Sequence, residues 1–441
     1  MKKIIISALS LVLLSQMACQ TPEYLNPSTI SQSQAVSSPD GLITLCNGLQ
    51  FRYSTGGALS ILYNATAGAG LTTRELSVLN VGNIEEANLA TGGGNVNNGN
   101  GVVRNLWTQS QLVRANAELI LANTAVTDND PGTKSGIVGY AAIFKALSLG
   151  TLAQFFEQAP ITTGTNAPFV PRIQVLQEAI RTLEAAATQL AAAPVSANFT
   201  GKIVPGIDIP NTIQALIARY ALLAGDNDKA LAAAAKVVLT SKSVFNFDDL
   251  TRNPLFEATF GNLNNYQPTN ASLGLTGALA PDPADKRLAF LTKVSSNTAV
   301  SPVVASAYYT ANNAAVPVYL PGEMGLIRAE AFARKGDLAN AIVELNKVRT
   351  KTAAQDAFGL GAGLPAYAPS GDTPVTADGV LLEIYKNRLV ELAFQGFRLE
   401  DSRRFNRPGP GATGAERNRN FFPYPRTERD NNASTPADPG V

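Results

Sequence analysis

The run AEAFARKGDLANAIVELNKVR, from Ala329 to Arg349, decides the architecture, because ARYALLAGDNDKALAAAAKVV, from Ala218 to Val238, repeats it. Ala218, Gly225, Asp226, Ala230, Lys236 and Val237 occupy the places of Ala329, Gly336, Asp337, Ala341, Lys347 and Val348. Leading into the earlier copy, Ile213, Leu216, Ile217, Tyr220, Ala221 and Ala224 fall at the three-and-four spacing of a buried helical face. Gly225-Asp226 breaks that run, and Leu231, Ala234, Ala235 and Val238 resume it. Each copy therefore predicts a helical hairpin, with glycine taking the left-handed turn and small residues letting the paired helices approach closely. The hairpins are expected over 212–239 and 322–350.

Such a repeated hairpin resembles the tetratricopeptide unit, which buries its apolar faces by stacking on its neighbours. The same periodicity predicts further helices from Val102 to Thr124, Gly139 to Phe156, Val175 to Ala192 and Leu381 to Arg404. Between them lie three stretches without a helical period: Ala65 to Asn100, Thr240 to Pro321 and Ala353 to Ala377. Loops of this length in a compact domain are uncommon unless they carry function. The expected fold is mainly α, a scaffold of tetratricopeptide-like hairpins presenting long irregular loops.

Composition narrows the chemistry. Of 441 residues 45% are hydrophobic and 16% charged, with 36 glycines and 26 prolines, which describes a loop-rich chain that folds. Lys and Arg number 35 against 34 Asp and Glu, and no segment concentrates the basic residues, so no nucleic-acid partner is expected. Histidine is absent, which removes the commonest general base and the commonest transition-metal ligand. No metal, no cofactor and no catalytic residue are expected. A G-x-G-x-x-G at Gly409, Gly411 and Gly414 contains Pro410 and follows no predicted strand, so it does not support a dinucleotide site.

The N-terminus reads as an export signal: Lys2 and Lys3, then a mostly apolar run from Ile4 to Leu14 that is too short to span a bilayer comfortably. Gln16 and Met17 spoil ordinary cleavage sites, and Ala18-Cys19 resembles a bacterial lipobox, although the motif prefers leucine where Gln16 stands. Residues 1–18 are expected to be a lipoprotein signal peptide, Cys19 the lipidated residue, 19–38 a tether, and 39–441 one domain. Cys46, among Leu42, Ile43, Leu45 and Leu49, is expected to be a buried inert thiol.

Several separated segments resemble the SusD/RagB family. They are GYAAIFKALSLGTLAQFFEQAPI from Gly139, Asp285-Lys286-Arg287, LPGEMGLIRAEAFARKGDLANAIVELNKVR from Leu320, EIYKNRLVELAFQGFRLEDSRRF from Glu383, and FFPYPRTERDNN from Phe421 with a terminal Asp438-Pro439-Gly440. Gln395 and Phe405 depart from the glutamate and tryptophan the family usually has. The resemblance implies an outer-membrane lipoprotein, facing the cell exterior, that captures oligosaccharides or similar nutrients without hydrolysing them. It also implies a SusC-like TonB-dependent transporter as partner, docked on the helical face while the loops turn to ligand.

Two other readings stay open. Arg388, Glu391 and Gln395, followed by Arg398, Glu400, Asp401, Arg403 and Arg404, place carboxylates near arginines as a helical surface glycosidase or lyase would. Adjacent arginines oppose the raised pKa of a catalytic acid, so an ion-pair network is favoured. The third reading is a tetratricopeptide adaptor for proteins. For a binding protein, sugar rings need flat apolar faces and amide or guanidinium partners. Trp107, within a helical run, is expected in the core. The loop residues of the right chemistry are Arg74, Asn83, Asn95, Asn97, Asn264 and Asn265 as polar partners, with Tyr63, Tyr266, Tyr308 and Tyr309 as stacking faces.

Overall fold

The computed structural model describes residues 31–369 and 375–441. The expected signal peptide and Cys19 lie outside the described residues, as does the tether up to residue 30. Gln32–Ala35 is one helical turn closed by a capping box between Ser31 and Gln34, and Ser38 then caps the first long helix.

The long helices are α1 (Pro39–Ser54), α2 (Ile61–Thr72), α3 (Ile84–Thr91), α4 (Gly101–Ala122), α5 (Pro131–Phe155), α6 (Arg172–Ala192), α7 (Ile209–Ala224), α8 (Asn227–Ala234), α9 (Pro321–Arg334), α10 (Leu338–Arg349), α11 (Ala377–Glu391) and α12 (Arg398–Arg404). From α4 onward each helix packs on the next as far as α11, so apolar faces are buried by serial stacking. Helix α5 is long and apolar enough to cross a membrane by composition, yet it is almost wholly buried at the centre of this array. A Cβ at Gly150 would clash with the edge of the Tyr220 ring, so glycine there lets α5 and α7 close up.

Both repeated hairpins form. Gly225 and Gly336 take φ of 85° and 83°, and the Asp226 and Asp337 carboxylates accept from the backbone N–H of Lys229 and Asn340 at 3.0 and 3.1 Å. The second helix of the first hairpin stops at Ala234, short of residue 239. A smaller apolar cluster of Leu326, Ala329, Ala341, Leu345, Val380 and Ile384 joins the second hairpin to α11.

Two expectations need correction. The stretch from Ala65 to Asn100 is not irregular throughout, because α2 runs on to Thr72 and α3 occupies Ile84–Thr91. Residues from Thr66 to Thr72 are buried on every side, so no polar face marks a helical period there. Nor is Leu381 to Arg404 one helix: α11 ends at Glu391, and the chain turns through Phe394 and Gly396, with φ of 66° and 81°, before α12. Buried contacts hold this turn. The Phe394 N–H donates to Glu75 Oε1 at 3.1 Å, and its carbonyl accepts from Thr66 Oγ1 at 2.9 Å.

The other two loop regions are largely without helix. Among the described residues there are four two-stranded antiparallel ladders: three tie down the 240–321 region, β1 (Leu76–Val78) with β5 (Tyr266–Pro268), β4 (Val244–Phe245) with β8 (Val316–Pro317) and β6 (Thr292–Val294) with β7 (Val303–Ala305), and the fourth pairs β2 (Gln158–Pro160) with β3 (Phe169–Pro171) between α5 and α6.

Candidate functional site

The β1–β5 ladder joins two segments far apart in sequence. Val78 lies opposite Tyr266, and the Leu79 N–H donates to the Asn265 carbonyl at 2.9 Å, so the turn after β1 meets the turn before β5. Asparagines shape both turns: Asn80 Oδ1 accepts from the Gly82 N–H, and Asn262 Oδ1 from the Asn264 N–H.

Three carboxamides then fix one another, and a fourth holds the backbone between them. Asn80 Nδ2 donates to Asn264 Oδ1 at 3.0 Å, Asn264 Nδ2 to Asn265 Oδ1 at 3.2 Å, and Asn265 Nδ2 to the Tyr63 hydroxyl at 2.9 Å. The hydroxyl donates in turn to Glu86 Oε1 at 2.7 Å. Burial, reinforced by the Glu86 charge, pushes the Tyr63 pKa up, which keeps it a neutral donor. Asn83 Nδ2 completes the group by donating to the Asn264 carbonyl at 3.0 Å.

A carboxamide carries two N–H hydrogens and two acceptor lone pairs, and the relay consumes only part of that capacity. Asn80 and Asn264 are exposed, so the remaining donors and acceptors face solvent in fixed directions. Val81 and Ile84 stand beside them, 79% and 64% exposed. Oriented amides next to apolar side chains suit a polyhydroxylated ligand: the amides pair with hydroxyl groups while the apolar groups cover C–H faces.

Of the sequence candidates, this edge gathers Asn83, Asn264 and Asn265. Asn80 was not among them; its signal is the Asn80-Val81-Gly82-Asn83 turn that directly follows an apolar strand. Tyr63, Tyr266, Tyr308 and Tyr309 are corrected as stacking faces, with 1%, 0%, 8% and 1% of their surface exposed. Their rings pack inward, Tyr266 against Tyr63 and Phe260, Tyr309 against Phe260, and Tyr308 against Phe290 and Phe358. Loops poor in regular structure need such an aromatic core to stay folded.

Arg74 lies beyond the other end of β1, where its guanidinium donates to the Ala415 carbonyl and its own carbonyl accepts from Thr269 Oγ1. Asn95 and Asn97 are exposed in the turn before α4, and each bonds local backbone, Asn95 to the Gly92 carbonyl and Asn97 to the Gly99 N–H. Neither they nor Arg74 join the amide edge.

The carboxylates of the last helices form buried ion pairs. Glu391, with a wholly buried side chain, accepts from Arg287 Nη1 at 2.9 Å and Lys351 Nζ at 3.0 Å, and Arg287 is also paired with Asp285. Arg388 holds Asp401 through two bonds of 2.9 and 3.0 Å. Burial, only partly opposed by Arg388, raises the Asp401 pKa. Glu391 and Asp401 are buried and neutralised by cations, so they do not form an accessible acid and nucleophile. Trp107 is buried, stacks on Phe169, and donates to Glu428 at 2.9 Å; Cys46 is a buried free thiol.

Residues 256–438 match the profile of the SusD family. No curated protein matches the chain. Solved structures with the same fold include a SusD superfamily protein from Bacteroides vulgatus, 18% identical, with a TM-score of 0.67 over 92% of this chain and 99% of that one. A SusD-like carbohydrate binding protein from the same organism is 15% identical, with a TM-score of 0.67 over 84% of each chain. Another SusD-like carbohydrate binding protein, from Bacteroides fragilis, is 14% identical, with a TM-score of 0.66 over 91% of this chain and 100% of that one. The C-terminal region thus matches the SusD family profile, and the fold is shared along nearly the whole chain with SusD superfamily structures.

Proposed function

We propose that this chain is a non-enzymatic binding protein that captures a short oligosaccharide, or a similar polar nutrient, on the amide edge of the β1–β5 ladder. The observation that carries the reading is the convergence of Asn80, Asn83, Asn264 and Asn265 from two distant segments into one exposed hydrogen-bonded group flanked by apolar side chains. Two structural neighbours described as carbohydrate binding support it. In this reading Cys19 is acylated and holds the protein to the outer membrane on the exterior side. The stacked hairpins dock on a SusC-like TonB-dependent transporter, which receives the ligand.

A glycan and peptide array identifies the ligand, and calorimetry then compares Asn264→Ala and Asn83→Ala with the parent. Each lost amide hydrogen bond is worth about 0.5–1.5 kcal/mol, so each variant should bind about two- to twelve-fold more weakly. Full affinity in both variants would move the site elsewhere. Anchoring is tested separately: Cys19→Ala should shift the protein from the membrane fraction to the soluble one.

A further inference from the structure

Away from the amide edge, the end of the second hairpin carries a group of arginines with unspent hydrogen-bonding capacity. A cleft of about 260 Å³ opens between α9, α11 and the segment after α12, and Arg334, Arg404 and Arg407 line it together with Tyr385, Phe405 and Asp378. The aromatic rings set the guanidiniums in place. Arg334 and Arg404 lie 5.3 and 4.8 Å from the centre of the Phe405 ring, Arg407 lies 5.5 Å from that of Tyr385, and the two rings are 4.9 Å apart. A guanidinium held on an aromatic face keeps its N–H edge in a fixed direction.

The acids behind this wall are shared. Glu330 serves both Arg334 and Arg404, Asp401 serves both Arg388 and Arg404, and Glu416 accepts from Arg407 Nε and from the Tyr385 hydroxyl. Among the described residues the buried Arg404 Nε has no hydrogen-bond partner, and Arg407 donates only through Nε, leaving both its Nη groups free. Burial, with the Arg172 charge adding, pulls the Arg404 pKa down to about 9. Among the described residues, exposed Asp378 is the one carboxylate that lines the cleft.

We propose that this cleft binds an oxyanion, the carboxylate or phosphate of a small molecule, held by the free Nη groups of Arg407 and the remaining Nη1 edge of Arg334 against the Tyr385–Phe405 wall. Planar guanidiniums match the paired oxygens of such groups, and the cleft has room for the anion and a few attached carbons. The site is separate from the amide edge, so it stands or falls without the carbohydrate reading.

The test uses the mature chain with inorganic phosphate and D-glucuronate as probes, each titrated by calorimetry against chloride at matched ionic strength. Saturable binding of either probe is expected, and which one binds identifies phosphate or carboxylate as the recognised group. Arg407→Gln, whose side chain is partly exposed, should weaken binding about ten-fold, as expected for a charge-assisted hydrogen bond. Asp378→Asn should tighten it several-fold, because it removes a like charge that lines the cleft. Melting curves check that both variants fold. This opposed pair of effects is one that a purely structural role for the arginines does not produce. Absence of saturable binding by both probes, or binding that neither substitution changes, overturns the proposal.

Discussion

Two polar clusters on this molecule use similar numbers of hydrogen-bonding groups to opposite ends. Around Glu391, the Arg287, Asp285 and Asp356 side chains are buried, Lys351 is nearly so, and they spend their charges on one another. Around Asn264, the amides hold one another only in part and turn the remainder to solvent. A residue type with catalytic associations is thus used as a clamp, while residues easily dismissed as turn formers offer the accessible surface. What separates the two is burial and spare bonding capacity, not the chemistry of the side chains.

The sharpest way to break this contrast is Glu391→Ala. It removes the acceptor shared by Arg287 and Lys351, which keep Asp285 and Asp356 as partners but each lose a buried bond, so it should destabilise the fold by about 1–3 kcal/mol in chemical denaturation. Glu391→Gln keeps a hydrogen-bond acceptor and should cost less. A stable, fully folded Glu391→Ala variant that had lost only ligand affinity would reverse the roles assigned to the two clusters.

An intermediate effect is expected at Glu75, which precedes β1 and fixes the turn between α11 and α12, linking the two regions. Burial raises its pKa above the ordinary 4.5, with Arg398 and the Phe394 N–H opposing and Asp401 adding. A carboxyl whose folded pKa is raised binds its proton more tightly when folded, so its contribution is most favourable below about 4.5 and is lost as pH rises through the window above that. Melting temperatures from pH 4 to 8 should show Glu75→Gln gaining on the parent as pH rises. A constant difference across that range would mean the Glu75 carboxyl titrates alike in the folded and unfolded chains.

How far the sequence could be read follows from the same contrast between local and distant determinants. The two hairpins were legible because their signals are local: an apolar period, then Gly225-Asp226 or Gly336-Asp337. Helix α2 was hidden because its Ala- and Gly-rich turns are buried on all sides and show no amphipathic stripe. The break after Glu391 was hidden because buried partners far along the chain, Glu75 and Thr66, hold Phe394 in the left-handed region. Among the site candidates, Asn83, Asn264 and Asn265 were found by residue type and loop membership, but pairing across the β1–β5 ladder decides that they meet. That same pairing turns Tyr266 inward, and alternation along a three-residue strand is too short to reveal its face beforehand.

The smallest expected effect is at Val81 and Ile84, and it tests whether the amide edge is a binding surface or only a well-bonded turn. Both side chains are largely in solvent, so neither supports the core, and Val81→Ser or Ile84→Ser should shift stability by less than about 0.5 kcal/mol. If a ligand covers them, each loses roughly 40 Å² of exposed apolar surface on binding, which at about 25 cal/mol per Å² is about 1 kcal/mol, or about five-fold in affinity. Calorimetry on the ligand found by array, beside a melting curve for each variant, separates the two effects. Weaker binding at unchanged stability would extend the site beyond the amides, because hydrogen bonds alone would not register the loss of an apolar neighbour. Unchanged binding by both variants would confine recognition to Asn80, Asn83, Asn264 and Asn265, and would leave the exposure of Val81 and Ile84 to be explained by a different partner.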